Sequence, residues 1–397
     1  MTRARRATDR FACWRKKSLD VIELTKELIR IRSENPPGNQ KPIADFVEST
    51  MKEIGLSVER YDYGENKPNV IGRLAGKNNR PSLMMNAHLD TVPAAATDEW
   101  RFNPFEPVEH EGKVYGRGAA DMKGGLAAMI CAAKDLTEAD FDLKGSLLLT
   151  CVVDEEVTGF GTRDIIEKGY VADYGIVGEP TNLKVQVAHK GAIHFKVSTV
   201  GKAAHSSLPQ LGLNAIYKMA KVCLSVEDMT NEFRKTSHPL VGNPTIVVTT
   251  IRGGKNEAFV PDSCEIDINR RLIPGETLEQ AKRQLRELLR KLMAEDPSLK
   301  IASEVTVECE PSETGAEERI VKEARKSVAI VTGRNPGITG FPATCDMRFM
   351  VNQGRIPTII LGPGNLAQAH SLNEYVETDQ IVDARRIYAL VAKQLLS

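Results

Sequence analysis

The sequence has no long apolar run, no excess of charge of either sign and no closely spaced pair of cysteines. No stretch approaches the roughly 18 uncharged apolar residues of a membrane-spanning helix, so we expect a soluble protein without a membrane partner. The 53 Lys and Arg residues balance the 53 Asp and Glu residues, which removes overall charge as a reason to propose nucleic acid as a partner. The seven cysteines are scattered without a C-x-x-C pair, which favours reduced thiols in a cytoplasmic protein over a disulfide framework.

The zero net charge conceals a basic N-terminal segment. Residues 1–17 contain seven basic residues and one acidic residue, so the other 380 residues carry a net charge of −6. A signal peptide is not expected, because Ser18, Asp20 and Glu23 interrupt the apolar segment that it needs. We interpret residues 1–17 as a solvated basic extension, with a transit peptide or a nucleic-acid-binding arm as the alternative.

Short apolar runs that end in polar residues alternate with helical stretches over much of the chain. A first helix is predicted with Ser18 as its N-cap and Asp20 in its first turn. The runs predict strands at 82–87, 146–153, 174–177 and 358–361, and the helical stretches lie at 123–136, at 161–168 and from 378 onwards. Continuous apolar strands between helices are typical of an α/β fold with a mostly parallel sheet, in which ligands bind at the carboxyl ends of strands.

The pattern changes between residues 190 and 308. Strands are predicted at 193–200, 245–251, 264–272 and 301–307, and helices at 214–229 and 277–293, which is the βαββαβ order of a ferredoxin-like unit. Thr277 and Gln280 predict a capping box for the second helix. Its apolar stripe is predicted to consist of Leu278, Ala281, Leu285, Leu288 and Leu292. We therefore predict one α/β domain formed by residues 18–189 and 309–397, with residues 190–308 inserted as a second domain.

Residues with metal-binding side chains follow the predicted strands. His88 and Asp90 end one strand and project to the same side of it. Three consecutive acids at 154–156 end another strand, where their mutual repulsion would raise their pKa values unless cations neutralise them. The other candidates are Asp121 in a glycine-rich turn, Glu179 after the next strand and His370 near the C-terminus.

Each of these residues taken alone has a plain structural explanation, such as a strand end, a helix cap or a solvated loop. Together they combine imidazole and carboxylate groups without thiolate, which suits Zn, Co or Mn, and the number of acids suggests two ions. Two divalent ions about 3.5 to 4 Å apart activate a water molecule and polarise a carbonyl group, so the pattern points to metal-assisted hydrolysis.

Six motifs in a fixed order resemble the M20 family of dizinc amidohydrolases and metallopeptidases, nearest to its succinyl-diaminopimelate desuccinylase and acetylornithine deacetylase branch. The motifs are HLDTVP at 88–93, GRGAADMKGG at 116–125, DEE at 154–156, GEPT at 178–181, GKAAHSSLP at 201–209 and GPGNLAQAHSLNEYVE at 362–377. The resemblance runs from about residue 20 to the end of the chain. It implies a zinc-hydrolase α/β domain with an inserted lid and dimerisation domain.

The resemblance also implies a ligand set for two divalent ions, with zinc as the first choice and cobalt or manganese as alternatives. His88 and Glu179 would hold one ion, Glu156 and His370 the other, and Asp121 would bridge both. The peptide bond after Asp121 is expected to be cis.

Catalytic roles are implied for three further residues. Asp90 would orient His88, and Glu155 would be the general base. His205 in the inserted domain would stabilise the oxyanion, in some relatives from the partner subunit.

The substrate-binding residues that the resemblance implies are Arg271, Thr344, Arg348 and Asn365. The two arginines would bind substrate carboxylates, with a surface salt bridge as the alternative for each. Three departures weaken the assignment to a desuccinylase, because Ala258, Asn269 and the pair Pro342-Ala343 replace residues that are common in that branch.

We therefore predict a cytoplasmic homodimeric hydrolase that cleaves the amide bond of an N-acyl amino acid. Succinyl-diaminopimelate is the first substrate, with N-acetylornithine or acetyl-lysine next. A carboxypeptidase or dipeptidase of the same family is a third possibility. A relative that binds without catalysis is disfavoured, since Glu155 accompanies a complete ligand set.

Overall fold

The computed structural model describes residues 19–138 and 143–397 of the chain. The strands are β1 (Ser57–Gly64), β2 (Lys67–Leu74), β3 (Ser82–His88), β4 (Val108–His110), β5 (Lys113–Tyr115), β6 (Ser146–Val152), β7 (Tyr174–Val177), β8 (Val185–His189), β9 (Gly191–Val200), β10 (Thr245–Gly253), β11 (Ser263–Leu272), β12 (Lys300–Cys309), β13 (Ser312–Glu313), β14 (Ile338–Phe341), β15 (Thr358–Ile360) and β16 (Tyr375–Glu377). The helices are α1 (Val21–Arg30), α2 (Lys41–Glu53), α3 (Gly124–Glu138), α4 (Phe160–Glu167), α5 (Ala215–Phe233), α6 (Leu278–Glu295), α7 (Arg319–Thr332), α8 (Met347–Asn352) and α9 (Thr378–Leu396).

The chain forms two compact units. The first contains the described residues up to Val187 together with Thr314–Ile338 and Cys345–Ser397, and the second contains Ala188–Glu313 together with Thr339–Thr344. The predicted boundaries fall at 189/190 and 308/309, and nothing in the sequence pattern indicated that Thr339–Thr344 would join the second unit. The predicted basic extension, residues 1–17, lies outside the described residues.

A twisted mixed sheet forms the centre of the first unit. Its strands follow the order β1-β2-β6-β3-β7-β15-β8, in which the four central strands β6, β3, β7 and β15 are parallel and the flanking pairs are antiparallel. Every residue of β3 and β6 is buried, as expected for strands covered on both faces. The α/β fold with parallel central strands is therefore confirmed, while the antiparallel edge strands were not predicted.

Helix α1 begins two positions later than the sequence pattern indicated. Asp20, which was placed in the first turn, is the N-cap, and its carboxylate accepts hydrogen bonds from the backbone N–H groups of Ile22 and Glu23 at 2.9 and 3.0 Å. The carboxylate satisfies N–H groups that have no partner within the helix, and its charge suits the helix N-terminus. Ser18, the predicted cap, lies outside the described residues.

The second unit has the predicted βαββαβ order. Its sheet is antiparallel with the order β10-β11-β9-β12, the strand arrangement of a ferredoxin-like unit. Thr277 and Gln280 form the predicted capping box of α6. The buried stripe of α6 consists of Ala281, Leu285 and Leu289, so the sequence pattern missed Leu289, and the other predicted leucines are only partly buried.

Four cysteines of the described chain are buried free thiols, consistent with the predicted reduced state: Cys131, Cys151, Cys264 and Cys345. No helix within the described residues is long and apolar enough to cross a membrane.

The hydrophobic core between α5, α6 and the sheet stabilises the second unit. Leu285 on α6 is 2% exposed within this core, whereas Leu224 on α5 is 62% exposed. We expect Leu285→Ala to lower the free energy of unfolding by about 2 to 5 kcal/mol, because it removes buried apolar surface and leaves a cavity.

Urea unfolding followed by far-UV circular dichroism measures this change. The matched control, Leu224→Ala, removes the same atoms from an exposed position and should change the free energy by no more than about 0.5 kcal/mol. Equal losses in the two variants would contradict the assignment of Leu285 to the core.

Candidate metal centre

Three neighbouring parallel strands bring four candidate side chains to one edge of the central sheet. In the register of β3 with β6, His88 lies opposite Val152, so Glu155 and Glu156 follow in the turn beyond β6. In the register of β3 with β7, Asn86 lies opposite Val177, which places Glu179 two positions further along, level with His88. The strand ends meet at one edge of the sheet, as predicted, because the three strands run in the same direction.

Asp121 approaches the same edge from the loop before α3. It lies in the π-helical turn Ala119–Lys123 but has extended backbone angles, φ −123° and ψ 93°, and its peptide bond to Met122 is cis, as expected. A Cβ atom at Gly125 would lie 2.4 Å from the carbonyl oxygen of Gly178. Glycine at this position therefore allows the start of α3 to lie directly against the residue before Glu179.

The carboxylate of Asp121 faces two imidazoles, one with each oxygen. Asp121 Oδ1 lies 2.9 Å from His88 Nε2, and Asp121 Oδ2 lies 3.5 Å from His370 Nε2. The second contact of each imidazole is a glutamate: His88 Nε2 lies 3.6 Å from Glu179 Oε1, and His370 Nε2 lies 3.0 Å from Glu156 Oε2. The predicted pairs and the predicted shared carboxylate are thus brought together.

The surroundings of the two imidazoles differ in exposure. The side chains of His88, Asp121, Glu156 and Glu179 are at most 10% exposed, whereas that of His370 is 54% exposed. His370 also has a φ of 62°, in the left-handed region that residues other than glycine seldom adopt. The cluster is therefore open to solvent on the side of His370.

The ring of His88 is oriented by a backbone carbonyl. His88 Nδ1 lies 2.9 Å from the carbonyl oxygen of Asp90 and 3.8 Å from the nearer oxygen of its carboxylate. A carbonyl oxygen can only accept, so Nδ1 carries a proton and donates, which leaves Nε2 as the nitrogen available to an ion. In this structure the main chain of Asp90, not its carboxylate, makes the hydrogen bond to the ring, and the orienting role of the carboxylate stays a prediction.

The Asp90 carboxylate instead holds the turn after β6. It accepts hydrogen bonds from the backbone N–H groups of Glu155 and Glu156, both at 3.2 Å. The side-chain amide of Asn35 donates to Asp90 at 3.0 Å and to Asp154 at 2.8 Å. This network fixes the backbone from which the Glu155 and Glu156 side chains project.

Of the three acids at 154–156, Asp154 is the one whose hydrogen-bond partners are not near the imidazoles. Burial acts to raise its pKa, but hydrogen bonds from Lys67, Thr158 and Asn35 hold the pKa below its ordinary value. Asp154 is therefore an anion with its own cation, Lys67.

The pKa values of Glu155, Glu156, Glu179 and His370 are raised above their ordinary values. Burial raises the pKa of Glu155, Glu156 and Glu179, and neighbouring carboxylates raise it further. Contacts with Asp121 and Glu156 raise the pKa of His370 to about 10. Burial of several like charges is costly unless cations neutralise them.

This donor set fits divalent ions. The ligand atoms of His88, Asp121 and Glu156 lie within 4.8 Å of one another, and so do those of His88, Glu155 and Glu179. Imidazole nitrogens and carboxylate oxygens are the ligands that Zn²⁺, Co²⁺ and Mn²⁺ accept, and a carboxylate facing both groups suits a bridging ligand. From its position, Glu155 can act either as a metal ligand or as a general base.

The predicted residues of the second unit are exposed or half-buried. His205 is exposed, and its Nδ1 accepts a hydrogen bond from the backbone N–H of Ser207 at 3.1 Å, which leaves Nε2 as the protonated donor. Arg271 lies on β11. Burial lowers the pKa of His194, and the positive charge of Arg271 lowers it further. Thr344 is half-buried.

Arg348 and Asn365, predicted to bind substrate, make contacts within the first unit. The guanidinium of Arg348 is 5% exposed and donates to the carbonyl oxygens of Cys345 at 2.9 Å and Thr158 at 3.1 Å. The side chain of Asn365 accepts from the backbone N–H of Ala367 at 3.0 Å. Their roles in substrate binding stay predictions.

Two charged residues that hold the Asp121 loop, Arg117 and Glu374, were not predicted from the sequence. Glu374, 1% exposed, accepts a hydrogen bond from Arg117 at 2.7 Å and another from the backbone N–H of Asp121 at 3.1 Å. Both residues lie inside motifs quoted above, but a single sequence does not mark which charged residues of a motif are buried.

Comparison with known proteins agrees with this geometry. Residues 84–394 match the model of peptidase family M20/M25/M40. The chain is 30% identical to the N-formyl-4-amino-5-aminomethyl-2-methylpyrimidine deformylase of Bacillus subtilis, over 93% of this chain and 92% of that protein. It is 26% identical to a probable succinyl-diaminopimelate desuccinylase of Staphylococcus aureus, over 95% of this chain and 98% of that protein.

Solved structures share the fold at lower sequence identity. The aminopeptidase PepT of Bacillus cereus is 20% identical with a TM-score of 0.79, covering 96% of this chain and 99% of that one. The YXEP protein of Bacillus subtilis, a dinuclear metal binding peptidase of the M20 family, is 15% identical with a TM-score of 0.71, covering 95% of this chain and 97% of that one. The family match over most of the chain, together with these likenesses, identifies it as a member of peptidase family M20/M25/M40.

Proposed function

We propose that this protein hydrolyses the amide bond of an N-acyl amine with the help of two divalent metal ions, releasing a carboxylate and a free amine. The observation that carries the proposal is the carboxylate of Asp121, whose two oxygens face the imidazoles of His88 and His370. The family consists of hydrolases that act on amide bonds, and a solved relative is a dinuclear metal binding peptidase.

We assign the metal ligands from the contacts between each imidazole and its nearest glutamate. His88 and Glu179 would hold one ion, Glu156 and His370 the other, and Asp121 would be shared. When bound, two such ions polarise the scissile carbonyl and lower the pKa of the attacking water. Zinc is our first choice, with cobalt or manganese as alternatives, because all three accept this ligand set.

Glu155 is our choice for the general base. Its carboxylate is half-buried beside the ligand atoms of His88 and Glu179, and its main chain is held by Asp90. From there Glu155 would take the proton of the attacking water and deliver it to the nitrogen of the leaving amine. A base at a fixed position can perform both transfers.

We keep His205 as the donor to the oxyanion. The hydrogen bond from the Ser207 N–H to Nδ1 leaves a proton on Nε2, which is the donor that an oxyanion requires. We likewise keep the proposals of a homodimer formed through the domain at 190–308 and of a cytoplasmic location.

For the acyl group we place N-succinyl amino acids first, with diaminopimelate as the amine. The sequence likeness to a probable succinyl-diaminopimelate desuccinylase supports this choice. A formyl group is the second candidate. The likeness to a deformylase supports it, and so does the engagement of Arg348 with carbonyl oxygens, because a formyl group brings no carboxylate for an arginine to bind.

The metal content tests the ligand set. We expect about two ions of zinc, cobalt or manganese per chain in the purified protein, and fewer in His88→Ala, because that variant lacks an imidazole that faces Asp121. Elemental analysis after dialysis gives both values. His110→Ala is the control: His110 is partly exposed beside Arg101 and Glu111, and its loss should leave the metal content unchanged. Wild-type protein that binds no ion would contradict the proposal.

Substitution of Glu155 separates its two roles. We expect Glu155→Gln to lower kcat about 10²- to 10⁴-fold while the metal content stays at the wild-type value, because the amide cannot take up the proton but the ligands remain. Amine release and elemental analysis are measured on the same samples. A fall in metal content would instead make Glu155 a ligand, and unchanged kcat would rule it out as the base.

A series of substrates that differ only in the acyl group tests the specificity. We expect N-succinyl-diaminopimelate to have a higher kcat/KM than the N-acetyl and N-formyl derivatives of the same amine, measured as free amine with added zinc or cobalt. The highest value for the formyl derivative would favour the second candidate. No release from any derivative by metal-loaded protein would contradict diaminopimelate as the amine.

A further inference from the structure

The buried carboxylate of Glu374 is surrounded by hydrogen-bond donors from a single loop. Glu374 Oε2 accepts from Arg117 Nη1 at 2.7 Å and from the backbone N–H of Gly118 at 2.9 Å. Glu374 Oε1 accepts from the backbone N–H groups of Ala120 at 2.9 Å and Asp121 at 3.1 Å. The four donors use the full accepting capacity of one carboxylate.

The loop is shaped around this carboxylate. The carbonyl oxygen of Glu374 also accepts from the backbone N–H of Gly116 at 3.0 Å, so that Glu374 contacts the loop along its length. Gly118 has a φ of +83°, and a Cβ atom there would lie 2.6 Å from the side chain of Thr91. The conformation that presents the Gly118 N–H to Glu374 is therefore one that glycine favours.

Arg117 supplies the charge that a buried carboxylate needs. The side chains of Arg117 and Glu374 are 4% and 1% exposed, and the guanidinium also lies over the ring of Trp100 at 5.1 Å. Burial of such a pair is costly unless hydrogen bonds compensate for the lost water. Glu374 is satisfied by four donors, whereas Arg117 Nε has no hydrogen-bond partner among the described residues, so the charge of Arg117 acts through its Nη1 contact. The two side chains thus form a fixed link between residues that are distant in the sequence.

The link joins the two segments that carry Asp121 and His370. One end of the loop is Asp121 itself, whose backbone N–H is one of the donors, and Glu374 follows His370 by four residues. We propose that Arg117 and Glu374 are a positioning pair that holds Asp121 and His370 at the separation needed to bind the metal ions. This inference rests on the proposed metal centre, but it concerns residues that are not themselves ligands.

The consequence is a specific effect on metal affinity. Residues that orient metal ligands typically change the affinity by about 10- to 100-fold when they are substituted. We expect Glu374→Gln to weaken the binding of at least one ion by roughly this factor, because an amide can accept from the donors on one oxygen only and presents its NH₂ group to the others. The ion bound by His370 should be lost first, since His370 lies on the segment of Glu374.

The test is titration of the metal-free full-length protein with Zn²⁺ in competition with a chromophoric chelator, for the wild type and the variant. Co²⁺ absorption spectra of both proteins report the ligand geometry. Excess metal should restore most of the activity of the variant, with the recovery in kcat rather than in KM. Thermal unfolding of the metal-free proteins shows whether the variant is folded.

Glu276→Gln is the matched control. Glu276 also accepts from a buried arginine, Arg270, at 2.5 Å and from a backbone N–H, that of Ile273, at 2.9 Å, but it belongs to the second unit. This control loses a comparable ion pair and should retain wild-type Zn²⁺ affinity and a wild-type Co²⁺ spectrum.

The outcomes separate this inference from the proposed function. Wild-type protein that binds no ion would overturn both. Wild-type affinity and spectrum in Glu374→Gln, whatever its thermal stability, would overturn the positioning role alone. If Glu374→Gln does not fold, Arg117→Lys keeps the charge but not the guanidinium geometry, and wild-type Zn²⁺ affinity in that variant would also overturn the role.

Discussion

Repulsion between buried carboxylates is the constraint on which the rest of this centre depends. Asp121, Glu156 and Glu179 lie at one edge of the central sheet with little exposed surface, and two imidazoles face them. Burial and the neighbouring negative charges raise the pKa of the two glutamates, so the group does not remain fully ionised without positive charge nearby. Contacts with the carboxylates raise the pKa of both imidazoles, so protonation of these rings offsets part of the negative charge in the absence of metal. Two divalent ions would take the place of those protons and offset more of it.

The fold meets this constraint with rigid backbone. Three parallel strands in fixed register deliver His88, the turn after β6 and Glu179, while hydrogen bonds to main-chain N–H groups hold the segments between them. Asp90 holds the turn after β6, and Glu374 holds the loop of Asp121. Asp90 and Glu374 both accept hydrogen bonds from backbone N–H groups. They thereby fix the main chain of the segments that carry the acidic residues of the centre.

Much of this arrangement was predictable from the sequence, and the reasons are local. Apolar runs that end in polar residues located the four central strands of the first unit, because a strand that is buried on both faces has a continuous apolar sequence. The capping box of α6 was predictable because Thr277 and Gln280 lie only three positions apart at the start of the helix. The pairing of His88 with His370 through Asp121 followed only from the family resemblance, since His370 lies more than 200 positions after both of the other residues.

Other features depend on tertiary contacts that no local pattern encodes. The burial of Arg117 with Glu374 requires two segments that are 257 positions apart in the sequence to meet. The carbonyl of Asp90, rather than its carboxylate, orients His88, because the chain turns after β3 in a way that periodicity does not specify. The missed Leu289 of α6 has a simpler cause: the buried residues lie four positions apart, at 281, 285 and 289, whereas the predicted stripe continued from Leu285 to Leu288.

The division of the Asp121 carboxylate between two imidazoles has a thermodynamic consequence. In the proposed arrangement one carboxylate is a ligand of both ions. Binding of one ion therefore changes the affinity for the other, and the two binding equilibria are linked. Whatever factor the first ion imposes on the affinity for the second, the second imposes on the first. Occupancy of the centre is then a property of the pair, and a single dissociation constant describes neither ion.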